Sequence, residues 1–224
     1  MGSFATVPTE KIAALKPDII VGDFWGITED NYQALKKIAP TLGGIGNQGE
    51  ALGWKAQIKE LGKVFDKSAE AERVIAEDAA LFESAKRDMP QLAGASGVLA
   101  QYIKSRGIGV VVDPKEPGNS FFYDLGMRVP DAVTQLPQRS GRAIVSAENI
   151  ATLEADFMLI YPHEGTAQDM KSTPGYGELR QVKSGATVVG DMTLVQAIND
   201  PSARSRAWAL DQLRTALSSV TPGS

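Results

Sequence analysis

The chain of 224 residues contains no cysteine and a single histidine, His163. These absences exclude a disulfide framework, a thiolate zinc site, a cysteine nucleophile and any metal site built from several histidines. Basic residues are not in excess either, because 23 Lys and Arg stand against 27 Asp and Glu, giving a net charge of −4. That balance argues against a nucleic-acid partner, which requires a basic face. No run of about 18 apolar residues is present, so no membrane span is expected, and no signal-like segment is visible.

The sequence patterns of common enzyme classes are missing too. The glycine-rich stretch at 43–49 lacks the Gly-Lys-Ser/Thr sequence that opens a phosphate-binding helix. No Gly-x-Ser-x-Gly elbow is present, so no Ser-His-Asp arrangement can be assigned. We therefore expect a binding protein without catalytic residues, without an intrinsic cofactor and without a resident metal.

What the sequence does contain is an alternation of helical and strand patterns that predicts an α/β fold. A β-branched run at 19–21 predicts a strand at 19–22 that is covered on both faces. Residues 68–89 form the longest helical pattern, with an apolar stripe and an acidic first turn. Residues 96–113 predict a β-hairpin. Asp200 and Pro201 are expected to serve as N-cap and first residue of the closing helix.

The first candidate ligand contacts lie where predicted strands end. Phe24 and Trp25 follow the first predicted strand, and Tyr161 and His163 follow a strand predicted at 156–161. Ligands of open α/β sheets bind beyond the carboxyl ends of strands, so we interpret these side chains as ligand-binding. A core position for Trp25 and a surface position for His163 are the alternatives. Direct metal ligation by Tyr161 and His163 stays open, because both side chains ligate ferric iron or haem in proteins.

Helix starts supply the remaining ligand-binding candidates. Asn119 and Phe121 open a helix after a Pro-Gly pair, where free N–H groups favour an anionic or carbonyl-rich ligand. Simple helix capping is the alternative there. Arg204 lies at the start of the closing helix, and its guanidinium suits an oxygen-rich ligand. A solvated basic face is the alternative for Arg204.

Several stretches, in order along the chain, resemble one protein family. They are E-K-I-A-A-L-K-P-D-I-I-V at 10–21, Y-Q-A-L-K-K-I-A-P-T at 32–41, P-G-N-S-F-F-Y-D-L-G at 117–126, V-S-A-E-N-I at 145–150 and W-A-L-D-Q-L at 208–213. As an ordered set that spans nearly the whole chain, they resemble the ferric-siderophore and vitamin B12 substrate-binding proteins of ABC importers.

The resemblance implies two α/β lobes joined by one long rigid helix that limits their closure. We expect residues 1–65 to form the N-terminal lobe, 66–93 the linking helix and 94–224 the C-terminal lobe. The family has two further strands before the first helix of this chain, so the N-terminal lobe is expected to be truncated. It would keep the first predicted strand and another near 42–45. Such a small sheet leaves an unpaired edge, so a dimer or an exchanged strand is expected to cover it.

The resemblance also implies a function. The chain is expected to capture a ferric siderophore between its lobes and to deliver it to the permease of an ABC importer. A haem or corrinoid receptor is the alternative within transport, and an α/β enzyme acting on an aromatic or metal-chelate substrate is the alternative from another class. The siderophore type stays open among hydroxamate, catecholate and citrate.

Two glutamates carry the implied contact with the importer. Glu10 and Glu148 stand in the sequence contexts of the family's glutamates that dock onto arginines of the permease, one on each lobe. The alternative is that each carboxylate only complements the dipole of the helix that it begins. The implied location is extracytoplasmic, either periplasmic or lipid-anchored at the cell surface, with the signal and anchor outside this chain.

Overall fold

The computed structural model describes residues 7–23, 26–45, 53–139, 141–221 and 223. It has a mixed α/β fold, as the sequence predicted, and divides into two compact units, Met1–Ala71 and Glu72–Ser224. The boundary between them falls inside one long helix, Ser68–Asp88. The expected assignment of residues 66–93 to a separate linking segment between lobes stays a prediction.

The N-terminal unit alternates helices and strands. Its elements before the long helix are α1 (Thr9–Ala14), β1 (Ile20–Asp23), α2 (Glu29–Lys36), β2 (Thr41–Ile45) and α3 (Trp54–Val64). The two strands pair in parallel, with Ile20 opposite Thr41, which confirms the strands predicted at 19–22 and near 42–45. Ile27 packs against both strands where Gly22 and Gly43 leave room for it. The truncation of this lobe and its completion by another chain stay predictions.

The C-terminal unit contains the rest of the long helix and a larger sheet. The long helix is α4 (Ser68–Asp88), which belongs to this unit from Glu72 onward, and the elements after it are β3 (Gly97–Ile103), β4 (Gly107–Val111), α5 (Pro117–Asp124), α6 (Asp131–Thr134), β5 (Arg142–Val145), β6 (Phe157–Glu164), α7 (Ala167–Lys171), α8 (Arg180–Lys183), β7 (Thr187–Val189), α9 (Met192–Asn199) and α10 (Ala203–Ser218). Short 3₁₀ helices at Pro90–Leu92, Ala147–Leu153 and Tyr176–Glu178 connect them.

The sheet of this unit has five strands in the order β5-β4-β3-β6-β7. Strands β3, β6 and β7 run parallel, whereas β4 is antiparallel to both β3 and β5. The antiparallel pair β3–β4 confirms the hairpin predicted at 96–113, and β6 confirms the strand predicted from residue 156.

Both faces of this sheet are covered, because successive side chains of a strand point to opposite sides. Leu99 and Leu159 belong to a core on one face, which also contains residues of α4, α5, α9 and α10. Ala100 and Ile160 belong to a second core on the other face. The central strands β3 and β6 are therefore mostly apolar, as expected for strands buried on both sides, and the exceptions are Gln101 in β3 and the carboxyl end of β6.

The long helix α4 confirms the helix predicted at 68–89. Among the described helices, none combines the length and the apolar character needed to cross a membrane. The predicted start of the closing helix was wrong: α10 begins at Ala203, with Ser202 rather than Asp200 as its N-cap. The Ser202 hydroxyl accepts from the Ser205 N–H at 3.2 Å, and the Ser205 hydroxyl bonds the Ser202 N–H at 2.9 Å. This reciprocal cap fixes the helix start two residues later than the Asp-Pro pair suggests.

Candidate functional site

A pocket of about 300 Å³ opens on one face of the five-stranded sheet in the C-terminal unit. Its floor follows the strand register: Gln101 of β3 lies opposite Gly109 of β4 and Tyr161 of β6, and Gly109 lies opposite Ile144 of β5. One row of side chains therefore crosses four neighbouring strands. The residues are distant in sequence, and only the sheet brings them together.

Helix α9 forms the wall above this floor. Met192, Val195, Gln196 and Asn199 line the pocket at the i, i+3, i+4 and i+7 spacing of one helical face. The helix is fixed at its start by Asp191, whose carboxylate accepts from the Leu194 N–H at 2.8 Å. The pocket therefore has a rigid strand floor and a capped helix as its wall.

Gly109 shapes the floor by lacking a side chain. A Cβ at this position would lie 2.9 Å from Cγ and 3.0 Å from Nε2 of Gln101. The Gln101 side chain therefore lies over the glycine, and any larger residue would displace its amide. This close approach explains the glycine inside a strand.

Tyr161 joins Gln101 and His163 in a short hydrogen-bonded chain. The buried Tyr161 hydroxyl donates to Gln101 Oε1 at 2.9 Å and lies 3.2 Å from His163 Nδ1. A phenol has one proton, so donation to Gln101 requires His163 Nδ1–H to donate to the phenol oxygen. Burial raises the pKa of the Tyr161 phenol and Arg142 partly offsets that effect, so the phenol keeps its proton at neutral pH.

Arg142 brings a positive charge to the opposite side of the floor. Its Nη2 donates to Asn199 Oδ1 at 2.8 Å and lies 3.4 Å from Glu116 Oε2. The amide of α9 and the carboxylate before α5 thus hold the guanidinium from two sides. Its side chain keeps 39% exposure, so further N–H groups remain available to a ligand.

The chemical character of the pocket follows from these side chains. Aliphatic residues line much of it, and its polar groups are amides, a phenol, an imidazole and one guanidinium. No carboxylate is among its described lining residues. In the part of the chain that the structure describes, no group of three or more His, Asp or Glu side chains could hold a metal ion. The pocket can therefore hold an organic ligand that presents oxygen acceptors.

The family of this chain follows from its similarity to known proteins. The model of the periplasmic binding protein family matches residues 1–192. The chain belongs to this family. The resemblance found in the sequence is thereby confirmed. Similar solved structures also confirm the two-lobed α/β fold class.

The similar solved structures are periplasmic and iron-uptake binding proteins. A periplasmic solute binding protein from Mycobacterium smegmatis is 28% identical, with a TM-score of 0.77 over 96% of this chain and 73% of that one. PiaA from Streptococcus pneumoniae in complex with ferrichrome is 22% identical, with a TM-score of 0.75 over 95% and 74% of the two chains. FhuD2 from Staphylococcus aureus with bound ferrioxamine B is 20% identical, with a TM-score of 0.74 over 94% and 79%. A comparison with curated protein sequences gives no match.

The structure brings two of the predicted ligand-binding residues together. Tyr161 and His163 both line the pocket, and their rings contact edge to face with centroids 5.8 Å apart. Arg204 is exposed and lines a separate shallow groove with Trp208, which adjoins the pocket through Gln196. Ligand contact by these residues stays a prediction.

The other predicted contacts are not in the pocket. Phe121 is fully buried and packs edge to face against Phe82 and Phe122, so it has no surface to offer a ligand. Asn119 is also buried, and its amide Nδ2 donates to the Asp113 carbonyl at 2.8 Å. The helix start that the sequence indicated is real, but these two side chains turn inward.

The remaining predicted residues lie outside the pocket or outside the described part of the chain. Phe24 and Trp25 are not among the described residues, so their predicted role is not tested. Glu10 and Glu148 are both exposed, as a docking contact requires. Contact of these glutamates with a permease stays a prediction.

Sequence reasoning missed the polar residues Gln101, Arg142, Gln196 and Asn199 of the pocket. One signal was available for Gln101, because it is a polar residue within an otherwise apolar strand. The helical spacing of Gln196 and Asn199 was a weaker signal. Arg142 had none, because its partners are Asn199 and Glu116, which are 57 and 26 residues away.

Proposed function

We propose that this chain is an extracytoplasmic receptor that captures a ferric siderophore and delivers it to an ABC importer. The single observation that carries the proposal is the pocket on the C-terminal sheet, where hydrogen-bond donors and aliphatic side chains face a space of about 300 Å³ and no described lining residue is a carboxylate. A ferric siderophore is an iron ion wrapped in an organic shell whose surface presents oxygen atoms. Membership of the periplasmic binding protein family supports this reading.

The pocket residues suit an iron complex that arrives fully coordinated. Arg142 and the amides of Gln101 and Gln196 would donate to oxygen atoms of the chelator, and the Tyr161 hydroxyl would hold the Gln101 amide in place through its hydrogen bond to Oε1. The aliphatic residues would pack against the organic backbone of the chelator. In this proposal the iron keeps its chelator ligands, so neither His163 nor Tyr161 needs to replace one.

We also propose binding without turnover. The lining amides and the Tyr161 phenol, which keeps its proton, are suited to hold a ligand, and Nδ1 of His163 is engaged by that phenol. The alternative within transport is a haem or corrinoid receptor, and the alternative from another class is an enzyme acting on a metal chelate. Capture between two lobes with help from Phe24, Trp25 and Arg204 stays part of the proposal.

Delivery to the importer would use Glu10 and Glu148, whose exposure allows contact with arginines of a permease. We propose a periplasmic or lipid-anchored location, because the family is one of periplasmic binding proteins. A dimer or strand exchange through the N-terminal unit also stays a prediction.

Titration calorimetry with the full chain tests the proposed function. Ferrichrome, ferric enterobactin, ferric citrate and haem are titrated separately, and we expect at least one ferric chelate to bind at micromolar concentration or below. Tyr161→Phe should weaken that binding about tenfold, because it removes the hydrogen bond that holds the Gln101 amide on the floor. Tyr123→Phe makes the same change on a half-exposed residue outside the pocket and should leave affinity unchanged.

The outcomes separate the proposed function from its alternatives. Haem binding without binding of any ferric chelate would show that the protein is a haem receptor and not a siderophore receptor. Chemical conversion of the chelate, followed by mass spectrometry of the recovered ligand, would favour an enzyme. Equal affinities of the Tyr161→Phe variant and the unchanged protein would remove this pocket from the site.

A further inference from the structure

The charge of the pocket depends on a residue that does not line it. Among the described lining residues, Arg142 is the one Arg or Lys side chain. Glu116 lies behind it, with Oε2 at 3.4 Å from Arg142 Nη2, and is not part of the lining. The guanidinium that Arg142 presents to a ligand is therefore already paired with a carboxylate.

The backbone around Glu116 holds this carboxylate in place. Glu116 is the N-cap residue of α5, its N–H donates to the Asp113 carbonyl at 3.1 Å, and its own carbonyl accepts from the Asn119 N–H at 2.9 Å. A carboxylate at a helix start is favoured by the helix dipole. The Glu116 side chain is therefore attached to a fixed point of the fold.

A glycine makes room for this side chain next to Arg142. Gly141 has a φ of +73°, and a Cβ at this position would lie 2.6 Å from Glu116 Cγ and 2.7 Å from its Oε1. The glycine directly precedes Arg142, so the turn that starts β5 brings the carboxylate and the guanidinium together. Both the helix cap and the glycine turn act to keep the pair formed.

The paired charges leave the pocket close to neutral. A positively charged floor would attract an anionic ligand. A guanidinium that is paired with a carboxylate still donates hydrogen bonds, but the two charges together produce little net electrostatic field. Ferric complexes differ in this respect: a ferric trihydroxamate is neutral, because each hydroxamate carries a single negative charge. A ferric tricatecholate is a trianion, because each catecholate carries two.

We propose that Glu116 is a specificity-determining residue, which neutralises Arg142 and so selects neutral ferric hydroxamates over anionic ferric catecholates and citrates. The inference rests on the proposed function and names the class of ligand for the same pocket. Glu116 acts through Arg142 and does not touch the ligand.

The test compares the charge of the ligand with the charge of the pocket. Ferrichrome serves as the neutral trihydroxamate and ferric enterobactin as the trianionic tricatecholate, each titrated into the full chain at low and high salt. The unchanged protein should bind the neutral complex more tightly. Glu116→Gln keeps the shape and an acceptor for Arg142 but removes one negative charge. It should tighten binding of the trianion about tenfold at low salt. This is the effect expected when one negative charge is removed at roughly 10 Å from a trianion in water.

Three observations make the result specific to charge. The affinity of Glu116→Gln for the neutral complex should stay within about twofold, which also shows that the variant is folded. The gain for the trianion should shrink at high salt, because exposed charges are screened. Glu178→Gln removes a carboxylate that pairs with Lys183 on the surface, outside the pocket lining, and should change neither affinity.

A variant that removes the positive charge instead gives an independent test. Arg142→Gln leaves Glu116 without its partner, so the trianion should bind about tenfold more weakly still. Preference of the unchanged protein for the trianion would overturn the inference, as would equal effects of Glu116→Gln on both complexes. If no ferric chelate binds to the unchanged protein, the proposed function fails and this inference falls with it.

Discussion

Replacement of Arg206 by methionine tests how the C-terminal unit supports a fully buried charge. The Arg206 side chain is 0% exposed and its Nε donates to Asp78 Oδ1 of α4 at 3.0 Å. Its Nη2 donates to Asp124 Oδ2 of α5 at 2.6 Å, and its Nη1 donates to the Ser120 hydroxyl at 3.2 Å. The guanidinium carbon also lies 4.1 Å from the ring centroid of Phe82. One side chain of α10 thus joins α4 and α5.

The expected loss follows from the partner that stays behind. The Asp78 side chain is only 1% exposed, so without Arg206 its buried carboxylate loses the guanidinium that pairs with it. Breaking a buried ion pair from one side costs about 3–5 kcal/mol of unfolding free energy. Methionine fills most of the volume, so the loss should come from charge rather than from a cavity. A unit of this size should unfold at a temperature about 10 °C lower.

A double variant separates charge from packing. Arg206→Met combined with Asp78→Leu removes both buried charges, and Asp124 is 34% exposed and can be hydrated. We expect the double variant to lie within about 1–2 kcal/mol of the unchanged protein, because paired buried charges contribute little net stability over apolar residues. Arg214→Met is the matched control on the same helix, since its pair with Asp88 is exposed and should contribute less than about 1 kcal/mol.

Urea unfolding followed by far-ultraviolet circular dichroism measures these free energies. The reasoning is refuted if Arg206→Met costs less than about 1 kcal/mol, which is the range of an exposed pair. It is also refuted if the double variant is no more stable than Arg206→Met alone, because the two residues would then not be coupled.

Three further predictions concern the floor of the pocket, the docking contact and the acid stability. Gly109→Ala should weaken ligand binding about tenfold by calorimetry, because the added Cβ would displace the Gln101 amide from the hydrogen bond that Gln101 makes. An unchanged affinity would contradict the argument that the glycine shapes the floor. Glu10→Lys or Glu148→Lys should leave ligand binding intact and impair uptake in cells, since like charges across an interface repel; normal uptake would remove both from the docking contact. Burial alone would raise the pKa of the Asp156 carboxyl, but its hydrogen bonds and the charge of Arg180 bring that pKa below the ordinary value. The ionised carboxylate therefore stabilises the folded protein above about pH 4, and this contribution to the unfolding free energy is lost as the pH falls further. The stability difference between the unchanged protein and Asp156→Asn should shrink in acid, and a constant difference would refute that assignment.

The regular elements of this protein were largely predictable from the sequence. The strand at Ile20–Asp23, the hairpin formed by β3 and β4 and the long helix α4 each follow from patterns within one segment. Such patterns work because the periodicity of side chains in a helix or a strand is a local property. The family was also readable, because its sequence signals follow one another along the whole chain.

The ligand-binding residues were predicted less well, and Phe121 shows why. Its helix start was correctly predicted, but the sequence did not indicate which face of that helix would turn toward Phe82 and Phe122. Arg206 shows the same limit. Its local sequence does not distinguish it from the exposed Arg204 two residues earlier, and the structure buries it against Asp78, 128 residues away.

The sequence by itself determined the α/β class, most helices and strands, the family and the absence of cysteine chemistry. Only the tertiary structure decided which polar side chains share a pocket. Gln101 and Tyr161 are 60 residues apart in the chain and meet because β3 and β6 are neighbouring parallel strands in register. Arg142 meets Asn199 across 57 residues because α9 packs over the same face. A local pattern does not encode strand order or helix packing, since both depend on which apolar faces of the whole unit cover one another.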